Sequence, residues 1–293
     1  MSLRILIVGG DGIIGGALER KLAIMGHDVA VTTRHRERVT EGTVFLDLAR
    51  PHVALPRAKC AVICAAMTRF SDCREMPELA RQINVTAPVA LCADLVSRGT
   101  RVILLSTSAV FDGRTPHVGA SKPPSPRSMY GRLKAEAERR VLALGENASV
   151  LRLTKVLSRE TGILAQWVGE LKSGRNIQAF DDHRFCPITL DNALDTIAAL
   201  IEGGGESGIY QVSGSADISF VEAARHLAAR IGVPPQRVTA VNAEECGVPA
   251  EEITPFTSLD TSRLSALTGF VPPQPYAVID RAFATSLAPA CAR

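Results

Sequence analysis

Aromatic side chains make up only 4% of this 293-residue chain, with a single tryptophan, and that scarcity excludes a surface built to stack unpaired bases. Charge of one sign is lacking too. The 33 Lys and Arg against 30 Asp and Glu leave a net +3, with no basic run interleaved with aromatics, so nucleic acid is not the expected partner. No apolar run approaches the ~20 residues that a bilayer span requires. The opening MSLRILIVGGDG breaks into glycines and an aspartate too soon to read as a secretory signal. The cysteines (Cys60, Cys64, Cys73, Cys92, Cys186, Cys246 and Cys291) number seven, an odd count, and form no CxxC pair. Reduced, mostly buried thiols in a cytoplasmic protein are therefore expected. Six scattered histidines without HExxH predict no metal site.

What is present is an ordinary globular composition, 46% hydrophobic and 22% charged, on a chain long enough for one large domain or a main domain with an annex. Short apolar runs at 3–10, 28–34, 43–48, 60–66, 101–108 and 148–156 read as strands. Helical patterns lie between them at 12–26, within 77–98 and from Ser128. Continuous apolar strands alternating with helices predict a doubly wound α/β domain, its parallel sheet covered on both faces. The alternation weakens after 157, where Pro and Gly punctuate more often. A dinucleotide-binding domain is thus expected over 1–156, with 187–215 returning to it. A smaller mixed substrate-binding lobe is expected over 157–293, with helices at 219–231 and near the C-terminus.

The first strand runs into GGDGIIG, giving Gly9, Gly12 and Gly15 at spacings of three. Glycines there permit a tight turn and let backbone N–H groups and the following helix N-terminus approach a pyrophosphate. Ile13 and Ile14 belong to the same turn. A site for NAD places Asp or Glu at the end of the second strand, to take the ribose hydroxyls. This chain has Thr33, Arg34 and Arg36 instead, with no carboxylate to repel a 2′-phosphate and two guanidinium forks to grip one. NADP(H) is accordingly expected over NAD(H). Asp47 and Leu48 should border the adenine, and Ala65, Ala66 and Met67 the nicotinamide half.

The fifth strand end, in LLSTSAVFDG, sets Ser106, Thr107 and Ser108 at the carboxyl edge, where open α/β sheets bind ligands. Some two dozen residues later, SMYGRLKAEAERR puts Tyr130 and Lys134 one helical turn apart, so that an ammonium can lower the phenol's pKa from near 10. Such a pair suits proton transfer. Together these motifs resemble the extended short-chain dehydrogenases/reductases, a Rossmann fold, and most of all their dTDP-4-dehydrorhamnose reductase branch. STSAVFDG, YGRLKAEAE, RQINVTAP, GIYQVSG and LDTSRL carry the likeness nearly end to end.

The resemblance implies that Thr107 holds the substrate oxygen, Tyr130 exchanges the proton, Lys134 holds the ribose, and Asn84 supports the cofactor. It implies reduction of a keto group on a nucleotide-linked sugar, and a homodimer. The branch has Asp-Tyr where this chain has Ser108 and Ala109, which argues against dehydration chemistry and leaves the particular sugar open. Two other readings remain: an NAD-retaining sugar-nucleotide epimerase, and a cofactor-binding regulatory subunit of the kind that serves methionine adenosyltransferase. In FDDHRFCPITLDN, His183 and Arg184 either meet the substrate or anchor a polar loop. Asp191 and Asn192 are expected to cap the next helix, and Trp167 to pack within the lobe.

Overall fold

The structure, a computed structural model, describes residues 2–50, 55–203 and 206–287. The apolar runs of the first half become strands because both faces of each are covered. These are β1 (Arg4–Val8), β2 (Asp28–Thr33), β3 (Thr43–Phe45), β4 (Cys60–Ile63), β5 (Arg101–Thr107) and β6 (Ala148–Leu153). Helices α1 (Ile13–Ile24), α2 (Phe70–Glu75), α3 (Pro77–Arg81), α4 (Ala87–Ser97) and α5 (Met129–Leu142) alternate with them. Further along lie β7 (Lys155–Leu157), α6 (Ile163–Lys172), β8 (Ile177–Phe180), β9 (Arg184–Phe185), β10 (Pro187–Thr189), α7 (Leu190–Glu202), β11 (Gly208–Val212) and β12 (Ile218–Ser219). The chain ends with α8 (Phe220–Ile231), β13 (Val238–Val241), α9 (Ser262–Thr268), α10 (Pro275–Ala282) and α11 (Ala284–Leu287).

Two units result. The first comprises Met1–Phe111, Ala120–Leu153 and Leu194–Gln211. Its seven-stranded sheet has the order β11-β6-β5-β4-β1-β2-β3, with β3 through β6 parallel. The order reverses between β1 and β4, and the crevice outside their carboxyl ends is where such sheets take ligands. Leu6, Val8, Ala61, Ile63 and Leu104 fill one core beneath α4 and α5.

The second unit comprises Asp112–Gly119, Thr154–Ala193 and Val212–Arg293, with short sheets β10-β7, β12-β9 and β13-β8. Trp167 lies edge-on to Phe220 at 6.1 Å, inside a core with Leu171, Ile177, Leu227 and Phe283. Helix α8 starts where a capping box predicts, with Ser219 and Glu222 each satisfying the other's backbone N–H, and stops at Gly232 in the left-handed region.

Two expectations need correction. The run 148–156 is two strands, not one: β6 ends at Leu153, the Thr154 N–H turns to the Val212 carbonyl, and β7 pairs with β10. An unbroken apolar run conceals that change of partner. The helix expected within 77–98 is α3 and α4 joined by a π-helical turn, Gln82–Thr86, and α2 precedes it. A π-turn inserts residues without breaking the apolar pattern, and such turns gather at functional sites.

Candidate active site

The glycine turn is held by close backbone approaches that no other residue permits. Gly9 has φ 103°, and a Cβ there would lie 2.7 Å from the Ala65 nitrogen at the end of β4. A Cβ on Gly15 would lie 2.1 Å from the Gly9 carbonyl oxygen. The first turn of α1 carries no acidic residue and its N-cap, Gly12, makes no side-chain cap, so the exposed N–H groups and the helix dipole face outward unopposed. This cradle fits the pyrophosphate of a dinucleotide, whose charge the helix end would meet. Ile13, the first residue of α1, is partly exposed.

The tip of β2 differs from the expectation. A carboxylate is present there, supplied by Asp11 from the glycine turn. It accepts from the Thr33 hydroxyl at 2.9 Å and the Arg34 amide at 3.0 Å, and pairs with Arg38 at 3.3 Å. Burial opposes its charge, but the Arg34 amide, the Thr33 hydroxyl and the nearby His35 and Arg38 outweigh that and hold the carboxyl below its ordinary pKa. Arg36 does not join them, because its guanidinium stacks 4.0 Å over the Phe45 ring. Asp47 turns its carboxylate onto the Ala49 amide at 2.9 Å, while Leu48 buries its side chain in the core and offers only a carbonyl, to Gln82.

The π-turn has a visible purpose. It aims Asn84 at Met67, whose N–H donates to Asn84 Oδ1 and whose carbonyl accepts from Nδ2, both at 2.9 Å. Asn84 thereby clips the segment Ala65, Ala66 and Met67 that follows β4. On β5, the Ser106 hydroxyl is buried with no protein partner, a polar atom that awaits a ligand or water.

Ser128 caps α5 by accepting from the Gly131 amide at 3.1 Å. A Cβ on Gly131 would stand 2.0 Å from the Ala109 carbonyl oxygen, so only glycine lets α5 press against the turn Ser108–Val110. That approach brings Tyr130 to Thr107, whose hydroxyl also accepts from the Ala109 amide at 3.1 Å. Burial raises the Tyr130 pKa, Cys73 and Glu138 push the same way, and the hydrogen bond from Thr107 pulls it down. Lys134 donates to the Leu105 carbonyl at 2.7 Å, and burial lowers its pKa to about 8 against the pull of Glu138, Cys92 and Cys64. The expectation that Lys134 lowers the phenol's pKa does not hold in this arrangement, where burial governs both groups. Below the pair, Glu138 and Arg152 form an ion pair at 2.7 Å, 2% and 1% exposed.

In the second unit, His183 accepts from the Thr254 amide at 3.2 Å and lies 5.2 Å from the Phe220 ring. Burial and the Lys155 charge depress its pKa. Arg184 is committed to the Asp217 carbonyl at 3.0 Å and to Glu222 at 3.3 Å. Lys155, which sequence reasoning missed inside an apolar run, sets its ammonium 5.4 Å from the Phe220 ring and 5.7 Å from Phe185. Desolvation there lowers its pKa, although the residue as a whole is exposed. Asn192 shares a reciprocal cap with Thr189 at the start of α7, whereas Asp191 pairs with Arg281 at 2.9 Å instead of capping. Among the described residues no helix is long and apolar enough to cross a membrane, and no three His, Cys, Asp or Glu side chains gather as a metal site.

A sheet of this order, a glycine turn after β1, and Tyr130 and Lys134 on the helix beside β5 define a Rossmann protein of the extended short-chain dehydrogenase/reductase kind. Within that class the chain belongs to the RmlD substrate binding domain family, whose profile matches residues 3–286. A dTDP-4-dehydrorhamnose reductase of Mycolicibacterium smegmatis is 27% identical over 277 residues, 93% of this chain and 82% of that one. Methionine adenosyltransferase 2 subunit beta of Xenopus laevis is 28% identical over 280 residues, 91% and 83% of the two chains. The crystal structure of a dTDP-4-dehydrorhamnose reductase from Bacillus anthracis in complex with NADP superimposes with TM-score 0.82 at 20% identity, covering 97% of this chain and 100% of that one.

Proposed function

We propose that this protein is an NADP(H)-dependent reductase of a keto group on a nucleotide-linked sugar, with Tyr130 as proton donor. The observation that carries this reading is geometric: α5 brings Tyr130 to Thr107 at the end of β5, so that two hydroxyls meet where a carbonyl oxygen can be held and protonated.

The nicotinamide supplies the hydride to the carbonyl carbon when bound. Thr107, at the end of β5, is placed to hydrogen-bond the carbonyl oxygen. The Tyr130 O–H proton passes to that oxygen as the alkoxide forms, leaving a phenolate that solvent reprotonates. The Lys134 ammonium, held by the Leu105 carbonyl, offers its remaining donors to a ribose. Asn84 keeps the Ala65–Met67 segment in place beside the crevice. The relatives named as dTDP-sugar reductases support this substrate class.

The test is consumption of NADPH by the purified protein with a dTDP-4-keto-6-deoxy sugar, beside Tyr130→Phe. Turnover that the variant loses supports the proposal. NADPH binding without turnover on any sugar-nucleotide ketone overturns it. NAD carried through purification and a sugar that changes only its stereochemistry would mark the epimerase. The likeness to a methionine adenosyltransferase subunit favours one further reading, a regulatory subunit. A stoichiometric partner captured with no turnover would establish that one.

A further inference from the structure

The second strand of a dinucleotide-binding sheet ends where the adenine-side ribose lies, and what stands there decides whether a 2′-hydroxyl or a 2′-phosphate is welcome. In this chain the strand itself offers Thr33, Arg34 and, one turn on, Arg38. The Thr33 hydroxyl, the Arg34 amide and the Arg38 guanidinium all meet one carboxylate, Asp11, which comes from the glycine turn after β1, 22 residues before Thr33 in sequence. Building on the proposed dinucleotide site, we infer that Asp11 is the specificity-determining residue for the cofactor. Its carboxylate competes with a 2′-phosphate for the Thr33 hydroxyl, the Arg34 amide and the Arg38 guanidinium, and so sets how far the site prefers NADP(H) over NAD(H).

The chemistry of the neighbours supports a competition rather than a simple loop fastening. The donors Asp11 engages are the set an anion recruits: a hydroxyl, a backbone N–H and a guanidinium. Arg36, which the sequence offered as a second phosphate fork, is turned onto Phe45. The Asp11 side chain is 22% exposed, so it borders solvent where a ligand can reach it, and Arg38 at 62% is free to swing between two anions. A 2′-phosphate entering this corner must displace the carboxylate or share Arg38 with it. A 2′-hydroxyl needs only to donate to the carboxylate.

Asp11→Asn separates the two roles, because the amide keeps one acceptor oxygen for the Arg34 N–H while the charge and the acceptor that serves Arg38 are lost. Binding of NADP+, NAD+ and adenosine 2′-monophosphate is read by calorimetry on the wild type, on Asp11→Asn and on Arg38→Met, without any sugar substrate. Asp11→Asn is expected to tighten NADP+ and the 2′-phosphate probe relative to NAD+ by about tenfold, which is about 1.4 kcal/mol. Arg38→Met is expected to weaken NADP+ at least threefold and leave NAD+ unchanged. An Asp11→Asn ratio that stays within twofold of wild type, with the melting temperature retained, overturns the inference and leaves the reductase proposal standing. Should that variant not fold, an Arg38→Met protein that binds NADP+ as the wild type does overturns it instead. A wild type that binds neither dinucleotide brings down both.

Discussion

Tyr130 and Lys134 sit one turn apart, yet burial moves them in opposite directions, the phenol up and the ammonium down to about 8. Tyr130→Phe removes the transferable proton alone. We expect kcat for keto-sugar reduction to fall by about 10²- to 10⁴-fold, while calorimetry finds NADP+ bound within about threefold of wild type. Lys134 has a signature in stability. Its ammonium, with a folded pKa of about 8 against an ordinary 10.5, destabilises the fold below pH 8, and that penalty fades as pH rises toward 10.5. The unfolding free energy of the wild type minus that of Lys134→Met should therefore increase from pH 7.5 to pH 10 in denaturant titrations, and a flat or falling difference would refute the assignment. Tyr130 and Lys134 were legible because their spacing in sequence is their spacing in space. Asp11 was not: the sequence shows a turn residue, and only folding carries it to the tip of a strand 22 positions away.

Helix α5 is the element on which the site depends, and its sequence reads as two jobs on one face. Tyr130, Lys134 and Glu138 recur every fourth residue, so the stripe that would otherwise be apolar carries a phenol, an ammonium and a carboxylate into the interior. Glu138→Gln leaves Arg152 charged and 1% exposed, with neutral acceptors in place of its carboxylate, namely the new amide oxygen, Gln211 and the Ala120 carbonyl. Breaking such a pair from one side costs about 3–5 kcal/mol, to be read as a lower denaturant midpoint. Gly131→Ala tests position instead of charge. Its Cβ would meet Ala109 oxygen at 2.0 Å, so the first turn of α5 must retreat. We expect about 1–3 kcal/mol of destabilisation and a larger loss in kcat than in KM, because an ~1 Å displacement of Tyr130 spoils proton transfer before it spoils binding. The strands were legible as apolar runs. The π-turn was not, since its inserted residue leaves the surrounding pattern apolar, and neither was the break at Thr154, where no Pro or Gly marks the change of partner.

At the scale of the whole molecule, each unit has its own core, yet neither is one stretch of chain. The fragment 1–156, bounded where the sequence pattern weakens, lacks β11, so β6 would present an unpaired edge and Arg152 would lose Gln211. Expressed alone it should aggregate or unfold without cooperativity by circular dichroism, and a soluble fragment with a sharp transition would contradict the division. The general α/β architecture could be read from the alternation of runs, but the returning segment Leu194–Gln211 could be placed only approximately, because nothing local marks which unit a helix such as α7 serves.

The polypeptide crosses from one unit to the other five times along its length. In evolutionary terms, this makes the second unit a poor candidate for shuffling: no single recombination event can lift it out and graft another in its place. New specificities in a protein built this way must accumulate residue by residue, on a scaffold that is inherited whole.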